Sequence, residues 1–194
     1  MAISASQYQQ AIKARREFTV SECPAAAAAG MKSLADVGFD GEYVVPNQIS
    51  STALSGPLIL LNNWWGWEEL ATLDEVECCD ARTKGYLPTK PTNWCLDRAF
   101  SLLGLARADF YITQACVLLP SSTMGRSIND SIYAASVERV LRLELGGRTP
   151  IALGGPAQKA CRLARIDFVA AAHPSYQAGE RRAQEIAAAI RRVV

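Results

Sequence analysis

The chain has 194 residues, of which 49% are apolar and 20% charged, enough to bury one domain-sized core and too apolar for a disordered chain. Its net charge of +1 excludes a globally basic nucleic-acid binder, and no apolar run approaches the ~20 residues that cross a bilayer. Residues 1–17 are polar and lack the apolar core of a signal peptide, so a cytoplasmic, monomeric protein with six reduced cysteines is expected.

In chain order, residues 5–17 read as a helix, and Pro24 with alanines 25–29 as a second one stopped by Gly30. Residues 38–57, rich in Gly, Pro, Ser and Asn, read as a connector. Residues 58–61 are a continuous apolar run that suits a buried strand. Residues 64–92 read as irregular, with a short helix at 68–73. A helix over 96–103 stops at Gly104, and 110–117 has strand composition. Asp130 opens a helix that Gly146-Gly147 ends; 150–153 is a short strand; Pro156 sits in the first turn of the next helix. Residues 166–172 read as a strand and 179–193 as a terminal helix.

The second half alternates strand and helix with no hairpin signal. That pattern predicts an α/β fold, a parallel sheet covered by helices on both faces, in a single domain over 1–194 with residues 1–50 as a helical extension packed on it. Charge is uneven: residues 66–80 hold six acids and no base, and residues 159–194 hold seven bases against three acids. The basic third can face a polyanion, or both stretches are solvated helix faces.

In open α/β sheets ligands bind outside the carboxyl ends of the strands. Four such ends carry unusual residues. The first strand exits into Asn62-Asn63-Trp64-Trp65-Gly66-Trp67, and the second carries Gln114 and exits into Pro120-Ser121-Ser122. The third exits into Gly154-Gly155, and the fourth into His173-Pro174-Ser175-Tyr176. His173 is the single histidine, a hydrogen-bond donor near neutral pH or an ordinary loop residue. One histidine and no CxxC spacing predict no zinc site and no cofactor. The two glycines before a helix either cradle a phosphate or permit tight packing. The tryptophans either stack a base or fill the core. Gln114, in an apolar strand, either reads a base edge or caps a neighbouring loop.

The order of these segments resembles the uracil-DNA glycosylase superfamily over about residues 58–176. His173-Pro174-Ser175 is similar to that family's C-terminal His-Pro-Ser motif. Residues 150–157 resemble its strand ending in Leu-Gly, residues 111–120 the strand carrying a base-reading amide, and residues 58–66 the region of its first motif. The resemblance implies a three-layer α/β/α sandwich around a mainly parallel four-stranded sheet. It also implies a DNA repair enzyme that hydrolyses the N-glycosidic bond of uracil, or of another deaminated or oxidised base, after flipping it from DNA. Departures are clear: Asn62 replaces the first motif's glycine, Trp64 falls where several members carry a water-activating Asp or Asn, and Gln114 replaces the usual asparagine. The cysteines do not match the iron-sulfur branch, so no cluster is expected.

On this resemblance His173 donates to a base carbonyl as negative charge develops, and Asn63 or Asn62 holds the attacking water. Gln114 reads the base edge, Trp94 or Trp64 stacks on its face, and Trp65 and Gly66 complete the pocket. Ser121, Ser122, Gly155 and Ser175 grip flanking phosphates, while Tyr176, Arg181 and Arg182 enter or track the DNA. A nucleoside or nucleotide N-glycosidase, or an inactive base-binding module of the same fold, are the alternatives.

Overall fold

The computed structural model of the chain describes residues 2–121 and 128–193. At its centre is an all-parallel sheet of β1 (Leu58–Asn63), β2 (Tyr111–Cys116), β3 (Ile151–Leu153) and β4 (Val169–Ala171), in the order β2-β1-β3-β4. Leu61 lies opposite Gln114, Asn63 opposite Cys116, and Leu153 opposite Ala171, so the carboxyl ends of the strands form one rim. Helices α1 (Ala5–Glu17), α2 (Pro24–Ala28), α3 (Trp67–Leu70), α4 (Glu75–Lys84), α5 (Pro91–Ser101), α6 (Asp130–Ser136), α7 (Arg142–Leu145), α8 (Gly155–Leu163) and α9 (Glu180–Ile190) surround it. A π-helical turn, Val137–Leu141, joins α6 to α7.

Successive residues of a strand face opposite sides of its sheet. Leu58 and Leu60 therefore enter one core with Ile12 of α1, Ile132 of α6 and Cys161 of α8. Ile59 and Leu61 enter the other with Phe100 of α5 and Ile186 of α9. The result is a three-layer α/β/α sandwich, as the alternation of strand and helix predicts. A third apolar cluster under the rim joins Leu34, Phe39, Leu70 and Leu87 to Trp64, Trp65 and Trp67. Among the described residues no helix is long and apolar enough to cross a membrane.

One polar cluster lies inside the first core. The carboxylate of Glu144, fully buried, accepts from Tyr111 Oη at 2.7 Å, Thr113 Oγ1 at 3.0 Å and Gln48 Nε2 at 2.9 Å. Gln48 Oε1 in turn accepts from Tyr8 Oη and from the Val44 amide. Desolvation outweighs these donors and pushes the Glu144 carboxyl up to about 7.

The stretch read as a connector and the one read as irregular both hold elements. Residues 38–57 contain a 3-10 turn, Pro46–Ile49, and residues 64–92 contain α4. Helix α4 buries only Ala81, so it shows no apolar period; its ends are set by the Asp74 side chain, which accepts from the Glu77 amide, and by left-handed Gly85. Helix α5 begins at Pro91, not at Leu96.

Candidate functional site

A cleft of about 470 Å³ opens at the carboxyl rim of the sheet, within the size range of ligand pockets. Its walls bring together Asn62, Asn63, Trp64, Trp65 and Gly66 from the β1 exit, Gln114 of β2, Ser121 beyond β2, and His173 and Ser175 beyond β4. Parallel strands deliver these distant segments to one place. The amide of Trp67 donates to the Pro120 carbonyl, which ties the β1 exit to the β2 exit.

His173 is half-buried. The Ser175 amide donates to His173 Nδ1 at 3.2 Å, and Ser175 Oγ lies 2.8 Å from the same nitrogen. A backbone N–H can only donate, so Nδ1 is an acceptor and the ring proton sits on Nε2. Burial lowers the imidazole below its ordinary value, which keeps this tautomer neutral at neutral pH. Gly154, at φ +90°, lies against the ring and is held there by the hydrogen bond that its N–H donates to the Ala171 carbonyl.

At the β1 exit the amides form a directed chain. Tyr133 Oη donates to Asn62 Oδ1, Asn62 Nδ2 donates to Asn63 Oδ1 at 2.8 Å, and Asn63 Nδ2 donates to the Trp65 carbonyl at 3.0 Å. Burial raises the Tyr133 phenol, so it stays a donor. The chain fixes both carboxamides and leaves Asn63 Oδ1 a second lone pair.

Gln114 lies in the cleft floor and is 1% exposed. Its Nε2 donates to Asn47 Oδ1 at 2.8 Å, whereas its Oε1 is buried with no donor among the described residues. A buried acceptor left without a donor costs about 1–3 kcal/mol, and such groups mark places where a ligand or water belongs.

The aromatic residues divide. Trp64 lines the cleft, but its Nε1 donates to the Gly85 carbonyl at 2.9 Å and its ring packs edge-on against Phe39 and Trp65. Trp94 is 47% exposed and is not among the cleft's lining. The reason is the start of α5 at Pro91: Asn93, Leu96 and Phe100 take the buried face, and Trp94 turns outward one position later. Tyr86 lines the cleft instead, with the Arg107 guanidinium 3.7 Å over its ring. Arg107 is itself anchored by Asp97 at 2.9 Å.

Of the residues expected to meet DNA, Ser121 and Ser175 line the cleft; Gly155 is exposed and, like Tyr176 and Arg181, lies outside its lining. Tyr176 is 64% exposed and Arg181 projects into solvent. Arg182 does not present its charge: its side chain is 11% exposed, donates to the Tyr176 carbonyl and pairs with Glu185. Ser122 lies outside the described residues.

Asn47, Tyr86, Lys90 and Asn93 belong to the cleft and were not singled out by sequence. Asn93 could be found from the α5 period once Pro91 is taken as its first residue. Asn47 and Tyr86 sit in Pro/Gly-rich stretches with no period to read. Among the described residues no three His, Cys, Asp or Glu side chains converge as a metal site would require. No family model and no curated protein matches this sequence.

Proposed function

We propose that the protein is a DNA glycosylase that hydrolyses the bond between deoxyribose and uracil, or a related deaminated base, and leaves an abasic site. The observation that carries this reading is that His173, protonated on Nε2, lines the same cleft as Gln114, whose Oε1 has no donor among the described residues. A donor and an acceptor fixed in one pocket match the carbonyl and ring N–H of a keto base. The resemblance of the His-Pro-Ser segment supports the same assignment.

When the glycosidic bond breaks, its electron pair stays with the base and positive charge develops on the sugar. His173 Nε2–H stabilises the negative charge on the adjacent base carbonyl; one such preorganised donor is worth ~10²–10³-fold in rate. Water held at Asn63 Oδ1 then adds to the sugar carbon and its proton passes to solvent. An amide is a weak base, which suffices for an electron-poor sugar carbon. Tyr86, braced by Arg107, offers a ring face to the base. DNA is preferred over a free nucleotide because exposed Tyr176 and Arg181 flank the His173 loop.

A second reading, a base-binding module without hydrolysis, is favoured by one observation: the indole of Trp64, which on the resemblance falls where several members carry a water-activating Asp or Asn, is committed to Gly85. The deciding experiment is a cleavage assay on single- and double-stranded oligonucleotides with one uracil, hypoxanthine or xanthine. The expected result is abasic product from wild type, reduced ~10²-fold or more in His173→Ala and also reduced in Asn63→Ala. Binding of these strands without product would instead establish the module.

A further inference from the structure

Residues outside the resemblance reach the floor of this cleft. Asn47 stands in the 3-10 turn Pro46–Ile49, is 3% exposed, and lines the pocket beside Gln114. The turn is pressed onto the end of α4 at Gly85, where a methyl group would lie 1.7 Å from the Pro46 carbonyl oxygen. Ser51 Oγ donates to the Asn47 carbonyl and Ser50 Oγ to the Lys84 carbonyl, so the turn is fixed on both sides. From this rigid seat Asn47 Oδ1 accepts from Gln114 Nε2 at 2.8 Å.

A carboxamide is nearly symmetric in shape and opposite in polarity at its two ends. Which end faces a ligand decides which ring the ligand must bring. With Nε2 engaged by Asn47, the Oε1 of cleft-lining Gln114 is buried and without a donor among the described residues. We infer that Asn47 is the positioning residue for base selection: by capturing Gln114 Nε2 it makes the floor an obligate acceptor, so the site takes bases with a ring N–H beside a carbonyl and rejects rings with a bare nitrogen. Uracil, hypoxanthine and xanthine satisfy the floor; cytosine and adenine bring a lone pair against a lone pair. This inference rests on the proposed base-binding role of the cleft and adds the residue that sets its polarity.

The test uses methylated bases as ligands of the whole chain, so that it does not depend on cleavage. Binding of 1-methyluracil, 1,3-dimethyluracil (which lacks the ring N–H) and 1-methylcytosine, each blocked at the ring nitrogen that bonds the sugar, is titrated by NMR or calorimetry at pH 8 with wild type, Asn47→Ala and Asn47→Asp. Wild type should prefer 1-methyluracil to both others by about tenfold or more, because a floor built to pair one group leaves its own atom unpaired otherwise. Asn47→Ala should bring the ratio of 1-methyluracil to 1-methylcytosine binding close to 1, since Gln114 is then free to turn. Asn47→Asp should restore the preference, since an ionised carboxylate only accepts. A near-native circular dichroism spectrum certifies each variant, and the Asp variant answers for one that fails to fold. Preference retained in Asn47→Ala would overturn the inference and leave the base-binding reading standing. Wild-type preference for 1-methylcytosine would overturn it too, since Gln114 would then face the cleft with Nε2. Wild type that binds no base and cleaves no strand would remove the functional reading, and this inference with it.

Discussion

A methyl group placed on Gly154 would lie 2.8 Å from the Cβ of His173 and 3.2 Å from its Cδ2. The backbone there has φ +90°, a region that side chains other than hydrogen avoid. The glycine after β3 therefore serves the histidine after β4. Gly154→Ala should lower activity nearly as far as His173→Ala, ~10²-fold, while Gly155→Ala, in open space, should leave it within a fewfold. Steady-state cleavage rates for the two alanine variants check this, and equal effects would separate Gly154 from His173.

The tautomer of His173 gives a prediction with a definite sign. Its folded-state value lies below 6.5 because burial disfavours the cation, so the ring is neutral above pH 6.5 and gains a proton only in more acid solution. That proton lands on Nδ1, where it would oppose the Ser175 amide. Activity should hold from about pH 8 down through 6.5 and fall below it. A long-range ¹H–¹⁵N spectrum should show a protonated Nε2 at pH 7; a protonated Nδ1 would contradict the assignment.

Glu144 should write itself into the stability curve. Its folded value of about 7 exceeds its ordinary 4.5, so the folded state holds the extra proton between these limits. Stability conferred by the protonated form is then full below pH 4.5 and is lost as pH rises through 7. At 1.36 kcal/mol per unit the loss is roughly 3 kcal/mol. His173 acts in the opposite direction below pH 6.5, so the comparison of wild type with Glu144→Gln isolates the glutamate. Urea unfolding at pH 4.5, 6 and 8 should show the difference between the two proteins changing across this range; a constant difference would exclude it.

Much of the fold was legible because its strands announce themselves. Residues 58–61 are apolar on both sides, and 110–117 are too apart from Thr113 and Gln114, as only strands covered on both faces need to be. The rim follows from that, since four parallel ends must lie together. Asn47 was not legible: nothing in Val-Pro-Asn-Gln says that a connector folds back over β2, and its role exists only through a contact 67 residues away. Trp94 misled for a smaller reason. The resemblance made it a stacking residue, but the helix starts five residues earlier than the apolar run, and that phase turns the ring to water.

Arg181 and Arg182 are neighbours with different tasks. Arg182 holds the His173 loop by its bond to the Tyr176 carbonyl, whereas Arg181 stands in solvent beside Glu185. Arg182→Ala should lower Tm, at roughly 2–4 °C per kcal/mol lost for a chain of this size, and Arg181→Ala should not. If Arg181 meets a phosphate, its loss should reduce the salt slope of DNA binding by about 1. Thermal melts and binding at three salt concentrations distinguish the pair.

Tyr133→Phe should break the amide chain at its head. The loss of its bond to Asn62 should cost about 1 kcal/mol and slow cleavage without abolishing it, because Asn63 keeps its tie to Trp65. An unchanged rate in a folded Tyr133→Phe protein would show that the Asn62 carboxamide needs no such anchor.

Asn47 and Gln48 are adjacent, yet one reaches Gln114 in the cleft and the other reaches Glu144 in the core. A chain cut after residue 50 would strip an acceptor from the recognition floor and a donor from a buried carboxylate in one stroke. The leading fifty residues are thus no detachable accessory. Two consecutive side chains tie the buried carboxylate and the cleft to the same turn, so that displacing this turn disturbs both at once.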